Sequence, residues 1–150
     1  MGSRILRALC AASILAGLMA GQTLAVPPVR EYLPSSDIDL LDTCAFPVHA
    51  HVLLNQEYIT TYFDPDGNPV RLHIQGNLII EVSRIDTGDT VEINASGPVS
   101  INLETGEFFA QGHFLQWGPE IDGLNLYRGR FDFNGHGTGS VVSVCEMLAS

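Results

Sequence analysis

From residue 44 to residue 147 the chain is written in period two, and turn signals break it roughly every ten residues. Cys44, Phe46, Val48, Ala50, Val52 and Leu54 alternate with Pro47, His49, His51 and Leu53. Residues 57–63 (EYITTYF) are dense in β-branched and aromatic side chains, which suit a pleated surface. Residues 64–69 (DPDGNP) then supply turn chemistry, since Pro presets φ and Gly accepts a positive one. Residues 70–84 read as one long strand, with Leu72, Ile74, Gly76, Leu78, Ile80 and Val82 on one face. Arg71, His73, Gln75, Asn77 and Glu81 take the other. Gly76 in mid-strand predicts a bulge or a sharp bend. Five further strands are expected over 90–95, 99–103, 108–117, 124–133 and 140–147, separated by the turns at 86–89, Gly97-Pro98, 104–107, 118–123 and 134–139. No helical periodicity appears after residue 44. The pattern predicts an all-β domain: an antiparallel β-barrel of about eight strands, closed or nearly closed, with a two-layer β-sandwich as the alternative.

Upstream the grammar changes. Arg4 and Arg7 precede an apolar run over residues 8–20, and Thr23 and Ala25 place small residues at the −3 and −1 positions of a cleavage site. This is the layout of a secretory signal peptide over residues 1–25. The run is short of the roughly 20 apolar residues a spanning helix needs, so no membrane anchor is expected. Cys10 sits inside the apolar run, away from a lipidation position. Residues 26–43 carry three prolines and read as an extended leader, with one helical turn capped by Ser36 ahead of Asp37. Residues 44–150 form the single domain.

Loss of the first 25 residues removes two of the seven Arg, and the chain has no Lys. The net charge moves from −10 for the whole chain to −12 for residues 26–150. So acidic a surface repels nucleic acid and anionic headgroups and favours a soluble extracellular life. Cys44 and Cys145 remain as a pair near opposite ends of the domain. In an oxidising compartment they are expected to form one disulfide, worth roughly 4 to 5 kcal/mol for a loop of about 100 residues in the chain-entropy model. No Cys-x-x-Cys spacing suggests a redox pair.

Candidate chemistry is sparse. His49 and His51 share a strand face at i, i+2, a spacing that metal sites on sheets use, and His73 lies on the same outward parity two strands later. Asp86-Thr87-Gly88 copies the triplet of aspartic proteases. Asp89 follows it, and the apolar-apolar-Gly stretch that packs beneath such a loop is missing, so a turn is the better reading. Asp64-x-Asp66-Gly67-Asn68 is too short for a calcium loop. Residues 134–140 (NGHGTGS) lack the Lys and the flanking helix of a phosphate loop. No Gly-x-Ser-x-Gly elbow nominates a serine nucleophile. The aromatic residues are more suggestive: Phe109, His113 and Trp117 share one parity, and with Tyr127, Phe131 and Phe133 they could wall an apolar pocket inside a barrel.

Cys44-Ala-Phe46-Pro47-Val48, the segment Asn94-Ala-Ser96-Gly97-Pro98, the Thr-Gly turns and the late Cys145 together resemble a group of small secreted bacterial β-proteins of unassigned function. The similarity covers about residues 44–146. It implies export, a β-fold and one bridge, and carries over no catalytic residue and no ligand.

The functional expectation is a secreted, disulfide-stabilised, non-enzymatic binding protein without a cofactor. Its partner would be another protein or a small apolar ligand, and not nucleic acid. Two alternatives need a barrel interior. One is a lipocalin-like carrier using the aromatics. The other is an enzyme similar to the dirigent or allene oxide cyclase type, with His113 or Glu57 pointing into the cavity.

Overall fold

The computed structural model describes residues 25–118, 121–132 and 134–150. The expected signal peptide therefore lies, but for Ala25, outside the described residues, as does Phe133. Eleven strands and one short helix follow in order: β1 (Val29–Tyr32), β2 (Ile38–Leu40), β3 (Val48–Asn55), β4 (Tyr58–Phe63), β5 (Pro69–Gln75), β6 (Leu78–Arg84), β7 (Thr90–Asn94), β8 (Val99–Asn102), β9 (Phe108–Gly118), β10 (Ile121–Asp132), β11 (Gly137–Ser143) and α1 (Val144–Ala149). They build two antiparallel sheets. The larger runs β1-β4-β5-β8-β9-β10-β11 and the smaller β2-β3-β6-β7.

The all-β expectation holds; the closed eight-stranded barrel does not. Each sheet has two free edges, β1 and β11 in one and β2 and β7 in the other, so the arrangement is nearer the sandwich alternative. The physical reason lies at three corners. β3–β4, β5–β6 and β7–β8 are consecutive pairs that pass from one sheet to the other, at residues 56–57, 76–77 and 95–98. Strands that switch sheets at a bend make such corners. Here the Gln56 amide donates to the Asn77 carbonyl at 2.8 Å and the Ala95 amide to the Leu78 carbonyl at 2.9 Å. Gly76, which the sequence marks as a bend, has φ +141°, and a Cβ there would run into the Gln56 carbonyl. The expected long strand over residues 70–84 is therefore two strands in two sheets.

The leader is also corrected. β1 pairs with β4 and β2 with β3, so residues 26–43 supply one edge of each sheet. The helical turn expected after Ser36 is strand β2 instead. At the other end, the strand expected over 140–147 stops at Ser143. There the Ser143 hydroxyl accepts the Glu146 amide at 3.3 Å and caps α1, a Ser-x-x-Glu start.

The main core lies between the smaller sheet and one end of the larger. Val48, Ala50, Val82 and Ile93 meet Leu124 and Leu126 of β10, and Val144 and Leu148 of α1 plug the end. Each of the Val, Leu and Ile side chains here, fully buried, is worth about 1.5 to 3 kcal/mol. The Cys44–Cys145 disulfide is present, with Cα atoms 5.6 Å apart. It fastens α1 to the segment leading into β3. A second cluster, Ala110, Phe114, Tyr127 and Phe131, lies on the opposite face of β9 and β10. No helix among the described residues is long and apolar enough to cross a membrane.

Candidate functional site

Register decides which side chains of the larger sheet stand together. Directly paired residues share a face, so Ile59, Ile74, Val99, Ala110 and Phe131 form one apolar row across five strands. The neighbouring row, on the other face, reads Arg30, Thr60, His73, Ser100, Phe109, Asp132. The same face carries Tyr62 opposite Arg71, Gln111 opposite Arg130, and His113 opposite Arg128. Four of the five Arg in residues 26–150 thus share one face of one sheet.

Three of these four are stacked. The Arg30 guanidinium carbon lies 4.2 Å from the Tyr58 ring centroid, Arg71 lies 4.1 Å from Tyr62, and Arg130 lies 5.0 Å from Phe109. None of Arg30, Arg71, Arg128 and Arg130 has an ion-pair partner among the described residues. Asp132 is the one carboxylate placed on this face by the strand pairings, and its oxygens serve the following turn, accepting the Asn134 and His136 amides at 2.9 Å each. Arg84, the fifth, behaves differently. It forks onto Asp86, with Nε to Oδ1 at 3.0 Å and Nη2 to Oδ2 at 2.8 Å, which holds the Asp86 carboxyl below the usual range.

A cleft of about 290 Å³ opens on the basic face, lined by His73, Pro98, Ser100, Phe109, Gln111 and Arg130. Its floor is polar and ordered: His73 Nδ1 and Ser100 Oγ share a hydrogen bond at 2.9 Å. Gly97 and Pro98 at the corner bring the β7–β8 link against β9, where the Gln111 amide donates to the Pro98 carbonyl at 2.9 Å.

The expected aromatic pocket is divided by the sheet. Phe109, His113 and Trp117 lie on the basic face, whereas Tyr127 pairs with Phe114 and Phe131 with Ala110 on the apolar face. There Phe114 and Tyr127 stack with centroids 5.0 Å apart, and Phe131 meets Tyr127 edge-on at 5.0 Å. Trp117 lines a separate apolar cavity of about 130 Å³ between the sheets, with Leu40, Ala50, Val52, Leu115 and Leu124 among its walls. Glu57, at the corner before β4, is buried, and desolvation pushes its carboxyl up.

The three histidines proposed as ligands separate likewise. His73 is on the larger sheet; His49 and His51 are on the outer face of the smaller one. Residues the sequence reading overlooked sit beside them. Asp39 Oδ1 is 2.6 Å from His49 Nδ1, and Asp37 Oδ2 is 2.7 Å from His51 Nδ1. The available signal was the Asp37-x-Asp39 spacing, which matches His49-x-His51 once both segments are strands. The Val52 amide, donating at 2.8 Å, and His51 hold the Asp37 carboxyl below the usual range.

The motifs at 64–68 and 86–89 are turns, whereas that at 134–140 is a turn only as far as His136 and enters β11 at Gly137. Asp64 Oδ1 accepts the Asp66 and Asn68 amides and Oδ2 accepts the Asn68 side chain, so the residues that looked calcium-like serve their own loop. No protein-family model, curated protein or solved structure matches the chain.

Proposed function

We propose that residues 26–150 act outside the cytoplasm as a disulfide-stabilised, non-enzymatic binding protein, and that the basic, aromatic face of the larger sheet is its recognition surface for a short anionic ligand. Export rests on the signal-peptide layout of residues 1–25, and the disulfide is compatible with an oxidising compartment. The observation that carries the reading is charge segregation. In residues 26–150, of net charge −12, four arginines without carboxylate partners among the described residues gather on one sheet face.

Stacking an arginine on a ring fixes the plane of its guanidinium and leaves N–H edges free for a carboxylate, sulfate or phosphate. Phe109 is exposed beside Arg130 and offers a flat apolar back to the same ligand. Ser100, His73 and Gln111 add hydroxyl, imidazole and amide groups to the cleft. Its volume sits near the lower end of the roughly 300 to 1,000 Å³ typical of small-molecule sites. A long polyanion such as nucleic acid would meet the acidic remainder of the surface, so a short anion suits this face better. The apolar-carrier reading is less well supported, since the cavity beside Trp117 has a volume of about 130 Å³, nearer to benzene than to a lipid.

Calorimetric titration with a heparin-derived hexasaccharide and, separately, hexagalacturonate tests this and separates sulfate from carboxylate recognition. Binding that weakens about tenfold in Arg130→Gln, as expected for one lost charge-assisted contact, and falls with added salt supports the reading. Wild-type affinity retained in both Arg130→Gln and Arg128→Gln would remove it.

A further inference from the structure

The outer face of the smaller sheet has the opposite chemistry. β2 sets Asp39 directly opposite His49, and the preceding Asp37 reaches His51. β6 sets Glu81 opposite His51, and β7 sets Glu92 opposite Glu81. Arg84, at the end of β6, pairs with inward-facing Val48 and caps the Phe46 ring, so it does not neutralise this face. Two carboxylates paired directly across a ladder repel one another, and Glu81 and Glu92 have no cationic partner among the described residues.

We propose that Asp37, His49 and His51 bind a divalent transition-metal ion of the zinc, nickel or copper class. One ligand atom from each of the three lies within 4.8 Å of the others. In a tetrahedral site with metal–ligand bonds of about 2.0 Å, donors stand about 3.3 Å apart. Asp37 and His51 are exposed and His49 half-buried, so rotation about their side-chain bonds can close the difference. Two imidazoles and one carboxylate are borderline donors, which favour zinc, nickel and copper over calcium or magnesium.

The surroundings fit that chemistry. Asp37 Oδ1 is pinned by the Val52 amide at 2.8 Å, which fixes the direction of Oδ2; Oδ2 now meets His51 Nδ1 at 2.7 Å, and a bound metal would replace the shared proton between them. Asp39 fixes the His49 ring through Nδ1 at 2.6 Å, the carboxylate–histidine pattern that orients a metal-binding imidazole. The two rings already lie nearly parallel, 15° apart, on the same side of β3. Three protein ligands leave a fourth position open to water or to a donor from a partner. The ion would also tie the leader, through Asp37, to β3. His73, the third histidine of the sequence-based set, takes no part; the carboxylate of Asp37 replaces it.

The test uses the intact disulfide-bonded mature chain and zinc chloride alone. Long-range ¹H–¹⁵N correlation of the imidazole nitrogens should move the signals of His49 and His51 and leave those of His73, His113 and His136 in place. This readout needs no variant and no unfolding control. Calorimetry should give one zinc per chain, weakened at least about 100-fold by His51→Ala and at least about tenfold by Asp37→Asn, since loss of a group that merely orients a ligand already costs about 10- to 100-fold. His73→Ala should match the wild type. Unmoved imidazole signals at millimolar zinc overturn the proposal, and so do shifts confined to the other three histidines. Unchanged affinity in His51→Ala overturns it as well.

Discussion

Arg130 stands over the ring of Phe109, its guanidinium carbon 5.0 Å from the centroid, and no carboxylate among the described residues answers its charge. The contrast with Arg84 is instructive. Arg84 is stacked too, 3.9 Å from the Phe46 centroid, but it also forks onto Asp86 and closes one end of the smaller sheet. An arginine with a structural task is paired. Of those on the larger sheet, Arg30, Arg71 and Arg130 lie against rings, and none of the four has a carboxylate partner among the described residues, in a chain with 17 carboxylates to choose from. Their alignment depends on pairings between β1, β4, β5, β8, β9 and β10, so the fold itself builds the surface.

The disulfide should be the largest single contributor to stability. Replacing both Cys44 and Cys145 with Ala frees a loop with a sequence separation of 101 residues and should cost about 4 to 5 kcal/mol in the chain-entropy model. Urea denaturation of the two proteins, compared at constant m-value, measures it. α1 should loosen first, because the bridge fastens it to the chain entering β3.

Gly76→Ala should destabilise by about 2 kcal/mol or more through backbone strain and collision. A Cβ there meets the Gln56 backbone, which gives way only by opening the corner hydrogen bond from Gln56 to Asn77. Thermal unfolding checks the loss. Amide exchange should rise at residues 56 and 77 together.

Much of this architecture can be read from alternation alone. The parity of Val48 and Ala50 against His49 and His51 is the observed inside and outside of β3, and the turns at 64–69 and 104–107 fall where Pro, Gly and Asn place them. The barrel expectation failed because a period-two pattern carries no information on which sheet a strand joins. The bend at Gly76 was visible in the sequence; that it transfers the chain to a second sheet was not. The candidate sites failed to be legible for a related reason. Phe109 and Tyr127 look like neighbours in a list of aromatics, but one residue of register puts them on opposite faces of the same sheet. Arg128 and Arg130 are visibly i, i+2, whereas their alignment with Arg30 and Arg71 requires the order of six strands. Asp37 is not legible as a neighbour of His51, because the proline-containing leader around it carries no alternation that marks β2 as a strand.

Glu57 should make the protein less stable at neutral than at mildly acid pH. Burial raises its folded-state carboxyl above the ordinary value of 4.5. Its contribution is therefore fully favourable below the unfolded pKa and is lost as pH rises through the raised folded one. Glu57→Gln should abolish that fall while leaving other pH effects intact. Stability measured from pH 4 upward in both proteins decides it.

Trp117 is the sole tryptophan of the chain and is partly exposed at the small intersheet cavity. Its emission should stay unchanged when palmitate or retinol is added, because neither fits about 130 Å³. A blue shift that saturates with ligand would instead restore the carrier reading.

The basic face is tested most directly by a backbone amide chemical-shift map of residues 26–150, with the disulfide oxidised, titrated with the heparin-derived hexasaccharide and with hexagalacturonate. Saturable shifts are expected for at least one of them, concentrated on β5, β8, β9 and β10 around His73, Ser100, Phe109, Gln111 and Arg130, and weakened in Arg130→Gln. Shifts confined to other surfaces, or none with either probe at millimolar concentration, would contradict this expectation.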